Sequence, residues 1–338
     1  MEENWKIFLI DRGVQADLVT VYLNYIKNLE KKSMPVIFEL EHLSKMMGIK
    51  YPEFNELVFG TSSFYRKFKI PKKRGGFRNI ATPYPSLLSC QKWIYKNILL
   101  KIPTHQCAQA YKKEHSIIKN ASYHLDKKAL LKIDINNFFS EIPINWVIKM
   151  FLDLGYPKNI SYALASLCCL DGVLPQGAVT SPSLSNILLF SLDNRLSKFS
   201  NKFNLTYSRY ADDIVFSGEK ISPSLISYVR KIIENYGFSL NENKTKLLVT
   251  GRRKIVTGID VSSEKMQLPR KTRREIKQAM HFIKKYGLIG HMSNEKIKDP
   301  NYLLSLEGKI RFWLQIDVDN PEARTLLNDI LRIKKSNS

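Results

Sequence analysis

Three aspartates stand where apolar runs give way to polar residues. Asp134 lies at the end of the apolar run Leu130 to Ile135, and Asp212 and Asp213 stand side by side between two runs of strand-forming residues. An ionised carboxylate is costly to bury unless a cation or hydrogen bonds compensate for the lost water. A strand end or a hairpin turn leaves the group exposed enough to bind a metal ion and rigid enough to hold its geometry. The three carboxylates are therefore candidate metal ligands.

A glycine-containing loop separates the first aspartate from the other two in the sequence. The segment Leu174 to Pro182 contains Pro175-Gln176-Gly177 and leads into a helical pattern. A glycine here lets the backbone come close to a substrate. A lone Pro-x-Gly turn or a lone Asp-rich turn would be an ordinary turn. The order of strand aspartate, loop, helix and Asp-Asp hairpin is what points to chemistry.

The hydrophobic pattern predicts the elements that must position these residues. Apolar spacings of three and four predict helices within residues 1–60, one of them from Pro35 to Met47 with its end near Gly48. Short extended runs around Arg74-Gly75-Gly76 predict a hairpin from Phe64 to Ile80. Further helices are predicted at 85–100, 143–154, 185–199, 270–286 and onward to 331, and strands at 130–135, 205–210 and 214–217.

The charge of the chain is strongly basic and unevenly distributed. The 338 residues include 53 Lys and Arg against 31 Asp and Glu, a net charge of +22. Residues 61–130 carry +13 and residues 218–338 carry +11, whereas residues 131–217, which contain all three aspartates, are neutral and residues 1–60 carry −2. Because basic side chains bind phosphates and carboxylates hold metal ions, this distribution fits an enzyme that acts on nucleic acid.

Composition excludes several other classes of protein. With 44% hydrophobic and 25% charged residues, the chain can bury a large core and is not a disordered or collagen-like protein. The sequence contains neither a secretion signal at its start nor an apolar run near the roughly 20 residues that span a bilayer, so we expect a cytoplasmic protein with no membrane partner. The cysteines lack metal-site spacing and are predicted to be buried free thiols; they are Cys90, Cys107, Cys168 and Cys169.

The order of these motifs resembles the palm of reverse transcriptases, and the resemblance extends over about residues 61–260. It implies an α+β fold, the right-hand polymerase with fingers, palm and thumb. The implied divisions are an N-terminal helical extension at 1–60, fingers at 61–130, a palm of antiparallel sheet and helices at 131–260 with a fingers-like insertion around 145–170, and a helical basic thumb at 261–338. Asp134, Asp212 and Asp213 would then be the catalytic residues that bind two Mg²⁺ ions.

The resemblance also implies a nucleotide-binding set. Phe139 matches the bulky residue that excludes a 2′-hydroxyl, with Phe138 beside it assigned to the core, and Lys244 matches a palm lysine near the pyrophosphate. The remaining members are the loop residues Gln176 and Gly177 and the hairpin residues Lys72, Lys73 and Arg78, which would grip the triphosphate. Asn137 stands where many relatives have a second acidic residue, so no fourth carboxylate is expected beside the metals.

Two further motifs resemble signatures of retron reverse transcriptases. Asn120-Ala121-Ser122-Tyr123-His124 fits the pattern Asn-Ala-x-x-His, and Val256-Thr257-Gly258 fits Val-Thr-Gly. We therefore expect these motifs, together with the basic helix near residue 270, to recognise RNA. The residues assigned to that role are Asn120, His124, Val256, Thr257, Gly258, Arg270, Lys271, Arg273 and Arg274.

A retron-type enzyme implies a particular set of partners. It would copy a cognate noncoding RNA, which serves as template and primer, from dNTPs into single-stranded DNA, starting from the 2′-hydroxyl of an internal guanosine. The resemblance further implies a separate effector protein, a role in anti-phage defence and a cellular ribonuclease H that trims the template. The alternatives are a group II intron-like or diversity-generating reverse transcriptase, and a catalytically silent RNA-binding scaffold.

Overall fold

The computed structural model describes residues 2–72 and 75–336. Their contacts gather into two compact units, each drawn from three separated stretches of chain. Unit 1 comprises Met1–Tyr111, Ile135–Leu196 and Arg230–Leu240, and unit 2 comprises Lys112–Asp134, Ser197–Val229 and Asn241–Ser338. The resemblance also implies boundaries between an N-terminal extension, fingers, palm and thumb. Those boundaries divide the chain by function and not by contacts, and they stay a prediction.

Helices make up most of the described structure, and a few short strands accompany them. The helices are α1 (Glu2–Asp11), α2 (Ala16–Lys31), α3 (Leu40–Met47), α4 (Tyr51–Phe59), α5 (Pro85–Asn97), α6 (Ile117–Ser122), α7 (Ile144–Leu154), α8 (Lys158–Cys168), α9 (Ser181–Leu188), α10 (Phe190–Lys202), α11 (Pro223–Glu234), α12 (Arg270–Asn294), α13 (Tyr302–Ile316) and α14 (Pro321–Ser336). The strands are β1 (Tyr65–Pro71), β2 (Phe77–Pro83), β3 (Ala129–Asp134), β4 (Thr206–Tyr210), β5 (Asp213–Gly218), β6 (Lys246–Leu248), β7 (Ile255–Val256) and β8 (Ile259–Asp260).

Unit 1 is a helical body that carries the β1–β2 hairpin. The strands pair antiparallel from Tyr65 opposite Pro83 to Pro71 opposite Phe77. Helix α8 is buried along most of its length and packs against α4, α5 and α7. Its apolar residues explain that position, because a helix that is hydrophobic on most sides must lie inside the core.

Unit 2 is built on a four-stranded antiparallel sheet with the order β4-β5-β3-β6. The inner strand β3 is buried on both faces apart from the half-buried Lys132, and its residues are apolar except for Lys132 and Asp134 at its end. One face of the sheet packs through Leu130 and Val215 against a cluster that includes Val256, Ile276 and Trp313. This core joins the sheet to the β7–β8 hairpin and to the C-terminal helices of the same unit.

Most of the predicted elements are confirmed, with differences at their ends. The helix predicted from Pro35 begins at Leu40, because carbonyls of the preceding non-helical stretch are bonded elsewhere: Tyr25 Oη donates to the carbonyl of Ile37, and Tyr156 Oη donates to that of Pro35. The pattern at 185–199 is two helices that break at Leu189. Helix α12 continues beyond 286, with its regular geometry interrupted at Gly287, where φ is +74°.

The cysteine prediction is confirmed for three of the four residues. Cys90, Cys168 and Cys169 are buried free thiols, whereas Cys107 is half-buried. Burial raises the pKa of the Cys90 and Cys168 thiols to about 12, so both stay protonated and unreactive at neutral pH.

Candidate active site

The three aspartates lie together at one end of the sheet in unit 2. Asp134 ends β3 and stands directly opposite Asp213, the first residue of β5. Asp212 belongs to the two-residue turn that joins β4 to β5, since Tyr210 pairs with Asp213. Asp134 is only 4% exposed, while Asp212 and Asp213 are half-buried. The antiparallel register therefore brings together carboxylates that are 78 positions apart in sequence.

Two lysines neutralise two of these carboxylates. Lys244 Nζ lies 2.8 and 3.0 Å from the two carboxylate oxygens of Asp134, and Lys132 Nζ lies 3.0 Å from Asp213 Oδ2. Lys132 was not assigned a role by the sequence, although its position two residues before Asp134 on a strand places both side chains on one face. The ammonium groups supply the positive charge that the clustered carboxylates require.

Repulsion among the three carboxylates indicates that this cluster favours a bound cation. Burial raises the pKa of the Asp212 carboxyl above its ordinary value, and the negative charges of Asp213 and Asp134 raise it further, against a smaller opposing effect of Lys244. Within residues 2–72 and 75–336, no three acidic, His or Cys side chains are already arranged as a metal ligand set. The oxygen donors nevertheless fit a hard divalent ion, which would relieve the same repulsion that raises this pKa.

The turn that contains Asp212 has an unusual backbone conformation, which a buried side chain of the preceding strand stabilises. Ala211 has a φ of +57°, in the left-handed region. The fully buried Arg209, two residues earlier, donates from Nη1 to the Ala211 carbonyl at 3.3 Å. Arg209 was another residue that the sequence pattern did not single out, because a charged residue within a strand is normally read as solvent-facing.

The signature residues Asn120 and His124 are fully buried. His124 Nδ1 lies 2.7 Å from Ser217 Oγ, and its Nε2 lies 2.7 Å from Ser208 Oγ, so the imidazole joins β5 to β4. Neither amide atom of Asn120 has a hydrogen-bond partner among the described residues. Side chains without exposed surface cannot touch RNA in this conformation, so the contact that the structure gives His124 is with the β4–β5 hairpin, and its role in RNA recognition stays a prediction.

The second signature forms the tight turn between β7 and β8. Val256 is fully buried, whereas Thr257 is half-buried and Gly258 is exposed. Thr257 and Gly258 have φ values of +45° and +87°, the left-handed pair that a two-residue hairpin turn requires. Of this motif, the turn residues are the part accessible to a ligand.

The neutral state of His124 gives a pH prediction. Burial lowers the pKa of His124 from 6.5 to about 3, with a smaller contribution from Lys127. Between these two values the unfolded chain binds more protons than the folded chain, so the free energy of unfolding should fall as pH falls below about 6.5. The contribution of this residue at pH 5 is about 2 kcal/mol. Denaturant unfolding at pH 7 and pH 5 should therefore show a smaller pH dependence for His124→Phe than for the parent, and an equal dependence would contradict it.

The predicted loop and gate residues lie in unit 1. The carbonyl of Gln176 accepts the backbone N–H of Ala81 on β2 at 2.9 Å, and a Cβ built on Gly177 would stand 2.6 Å from the carbonyl oxygen of Ala81. With a φ of +130° as well, Gly177 lies where only glycine fits without a shift of the hairpin. Beside this contact is a cavity of about 450 Å³, and the residues lining it include Lys67, Lys69, Asn79, Asp171 and Gln176.

The two adjacent phenylalanines face different surroundings. Phe138 is 5% exposed, and its ring lies 6.4 Å, centroid to centroid, from that of Phe238 in a stacked arrangement. Phe139 is half-buried, with its ring centroid 6.5 Å from that of Tyr111. The more exposed ring is thus the one that the sequence assigned to the sugar gate.

The predicted phosphate-binding residues are on or beside the β1–β2 hairpin. Arg78 is exposed on β2 opposite Ile70, and Lys72 is exposed at the turn, where its N–H donates to the Gly76 carbonyl. Lys73, assigned to the same role, lies outside the described residues.

The basic residues at the start of α12 differ in accessibility. Arg270, Lys271 and Arg274 are exposed, with Lys271 Nζ 3.9 Å from a carboxylate oxygen of Glu275. Arg273 is half-buried and donates to Gln267 Oε1 at 3.2 Å. Three of the four predicted cations are therefore available at the surface of unit 2.

Among the described helices, none has the length and apolar character needed to cross a bilayer.

Comparison with known proteins gives matches over most of the chain. A family model described as reverse transcriptase (RNA-dependent DNA polymerase) matches residues 70–296. The retron Ec86 reverse transcriptase of Escherichia coli is 30% identical over 322 residues, which cover 93% of this chain and 95% of that protein. The retron Mx162 reverse transcriptase of Myxococcus xanthus is 29% identical over 286 residues, covering 72% of this chain and 59% of that protein. A telomerase from Candida albicans, solved with a fragment of telomeric RNA, aligns with a TM-score of 0.44 and 12% identity over 80% of this chain and 63% of that chain.

Proposed function

The chain belongs to the retron-type reverse transcriptases, which are RNA-directed DNA polymerases, and on that premise we propose that it copies one cognate structured RNA into single-stranded DNA. We propose that synthesis starts from the 2′-hydroxyl of an internal guanosine in that RNA, so that the product is a branched RNA–DNA molecule. The observation that supports the catalytic role is the strand register, which places Asp134 opposite Asp213 with Asp212 in the adjoining turn.

Reverse transcriptases use divalent metal ions, and in this chain we propose two Mg²⁺ ions held by Asp134, Asp212 and Asp213. When bound, such ions make a primer hydroxyl a better nucleophile and stabilise the charge that develops on the leaving pyrophosphate. Lys244 would exchange its contact with Asp134 for one with the pyrophosphate, because a lysine 46% exposed on a flexible stem can follow either anion.

The residues of unit 1 would bind and select the nucleotide. Lys72, Lys73 and Arg78 provide positive charge for the triphosphate, and Gln176 and Gly177 present backbone beside the templating pair. Phe139 would occupy the space of a ribose 2′-hydroxyl, so that dNTPs are preferred over ribonucleotides by exclusion.

The proposed biological setting is anti-phage defence. In that setting a separate effector protein would join the enzyme and its DNA product, and a cellular ribonuclease H would trim the copied template. A group II intron-like or diversity-generating enzyme is a weaker alternative, because curated retron enzymes match 72% or more of this chain in the two comparisons given above. A silent RNA-binding scaffold would have no physical reason to keep three mutually repelling carboxylates.

Purification of the enzyme with its bound nucleic acid tests this function. We expect the recovered RNA and DNA to remain joined after denaturation and protease treatment, and to separate only with a 2′,5′-debranching enzyme. The Asp212→Asn variant purified in parallel should carry the RNA without DNA. DNA that separates from RNA on heating alone would refute the proposed 2′ priming, while a preparation without any DNA from the parent would refute the template-copying role.

Salt dependence should identify the basic surface of α12 that contacts RNA. Each phosphate contact adds about 0.7 to 0.9 to the slope of log affinity against log salt, so replacing Arg270, Lys271 and Arg274 by Gln should lower that slope by roughly 2 to 3. A filter-binding titration measures it.

The matched control removes the same charge from a different surface. Lys6, Lys31 and Lys50 are all exposed and lie in the segment with net charge −2, so their replacement by Gln should leave the slope unchanged. Equal slopes for the α12 variant and the parent would show that this helix does not face RNA.

A further inference from the structure

One short segment of unit 2 contacts both hairpins of that unit. We call residues 117–124, which include α6, the connector segment. At its first residue the carbonyl of Ile117 accepts a hydrogen bond of 2.8 Å from Thr257 Oγ1 in the β7–β8 turn. At its last residue His124 contacts Ser208 and Ser217 of the β4–β5 hairpin, which carries Asp212 and Asp213. The two retron-like motifs are therefore linked by contacts on a single stretch of eight residues.

The contact at the β7–β8 turn holds a backbone that is unfavourable for its residue. Thr257 is β-branched and has a φ of +45°, a conformation that branched side chains rarely adopt. Its hydroxyl is directed to Ile117 by that same conformation, so the hydrogen bond and the turn support each other. Asn or Gly would suit the turn better, so the threonine contributes the hydrogen bond to Ile117 in addition to the turn.

The contact at the β4–β5 hairpin lies on the catalytic face of the sheet. Residues i and i+2 of a strand point to the same side, so Ser217 shares its face with Val215 and Asp213. Ser208 pairs with Val215 and lies on that face as well. With both ring nitrogens 2.7 Å from a serine oxygen, a neutral imidazole donates to one hydroxyl and accepts from the other. His124 thereby bridges two strands that are already paired, four residues before and after the aspartate turn.

Packing makes the connector segment rigid between its two ends. Ala121 is fully buried in a cluster with Leu130 and Val215 of the sheet and with Val256 and Ile259 of β7 and β8. The N–H of Asp126, just past the segment, donates to the Val261 carbonyl beyond β8 at 3.1 Å. A displacement of the β7–β8 hairpin must therefore be absorbed by this core or passed to the strands that hold the aspartates.

We infer that the connector segment mechanically joins the β7–β8 hairpin to the catalytic hairpin, and that His124 is a positioning residue for Asp212 and Asp213. This inference rests on the proposed catalytic role of the aspartates. The two signatures then have different roles. The exposed part of the β7–β8 turn is available to a ligand, whereas the buried histidine couples the position of that turn to the end of the sheet that carries Asp212 and Asp213. The histidine should consequently matter on every primer–template and not on the cognate RNA alone.

Single-turnover extension of a generic annealed primer–template tests the role of His124. We expect His124→Phe to slow nucleotide addition by about 10- to 100-fold, because small displacements of catalytic groups have effects of that size. The apparent KM for dNTP and the Kd for primer–template should stay within about twofold, since neither ligand touches His124. Ser208→Ala and Ser217→Ala, which each remove one contact and preserve the fold, should give smaller losses of the same kind. His124→Gln, which retains a polar group near Nε2, should recover part of the rate.

A second buried histidine provides the matched control. His291 is 4% exposed and bonds through Nε2 to Tyr302 Oη at 3.0 Å, far along the sequence from the catalytic strands. His291→Phe and His124→Phe should both lower the melting temperature, but His291→Phe should not slow addition at a temperature well below both melting points. Equal rates for the parent and for both serine variants would overturn the inference. So would equal slowing by His124→Phe and His291→Phe.

A double-mutant cycle tests the link to the other hairpin. Thr257→Val removes the hydroxyl and keeps the shape of the side chain, and we expect it to slow addition on the same generic substrate. In the double variant with His124→Phe, the fold-decrease in the rate of addition should be smaller than the product of the two single decreases, because both changes release the same segment. Multiplicative effects would refute the mechanical link. By contrast, full activity of Asp212→Asn would refute the catalytic assignment itself, so the two failures are distinguishable.

Discussion

Asp212→Asn should abolish DNA synthesis while leaving RNA binding intact. The substitution preserves shape and removes one charge from a cluster proposed to hold metal ions, so the rate of primer extension should fall by about 100-fold or more. We expect RNA affinity to come from Lys and Arg contacts to phosphates, so it should not change. Extension in a single-turnover assay, together with filter binding of the RNA, measures both quantities.

The same variant should be more stable than the parent in metal-free buffer. Burial and the neighbouring Asp213 and Asp134 raise the pKa of Asp212, which means that its ionised form is less favourable in the folded chain than in the unfolded chain. The amide removes that cost. Mg²⁺ should raise the melting temperature of the parent more than that of the variant. Asp153→Asn, at an exposed aspartate paired with Lys149, is the isosteric control and should alter neither property; activity of Asp212→Asn above about one hundredth of the parent rate would contradict the metal role.

Phe139→Ala should lose discrimination against ribonucleotides. A ring that excludes a 2′-hydroxyl does so by steric clash, and removing it should increase the efficiency of ribonucleotide incorporation relative to dNTP by roughly 10- to 100-fold. Some deoxynucleotide incorporation should remain, because the proposed metal ligands are untouched. A single-addition assay with the two nucleotide types in competition measures the ratio.

Phe138→Ala is the matched control, one position earlier in the chain. Phe138 is buried against Phe238, so its truncation should lower the free energy of unfolding by about 3 to 5 kcal/mol and leave the sugar preference unchanged. If the selectivity falls in Phe138→Ala and persists in Phe139→Ala, the gate belongs to the other ring.

Local pattern was sufficient to predict the elements around the aspartates. An apolar run that ends in Asp134 and two runs that flank Asp212 and Asp213 are strong indicators of strands, and β3, β4 and β5 are confirmed within one or two residues. That the three aspartates come together was implied by the resemblance to a known palm rather than by periodicity, and the register that pairs Asp134 with Asp213 was not predicted. A strand pattern alone does not specify its neighbour in a sheet.

The features that the sequence did not predict depend on contacts between residues that are far apart in the chain. His124 has no periodic feature that distinguishes a surface histidine from one buried between Ser208 and Ser217, and serines in strands are weak predictors of burial. Strands of two or three residues, such as β7 and β6, are too short for an alternating pattern to be recognised. The non-helical stretch before α3 is held by two tyrosine hydroxyls elsewhere in the chain, one of them 121 positions from the carbonyl that it bonds.

The order of strands in the sheet has a consequence for synthesis of the chain on the ribosome. Strand β3 is one of the two inner strands, yet both of its neighbours, β5 and β6, are encoded after it. At about 5 to 20 residues per second, roughly 6 to 23 seconds separate the emergence of Asp134 from that of Leu248. Until β5 emerges, the strand that contains Leu130, Leu131 and Ile133 has two unpaired edges, and the edge that β6 later covers stays open longest, the condition that favours aggregation of nascent chains. Chaperone supply during translation should therefore limit the yield of this polymerase more than the final stability of its folded core does.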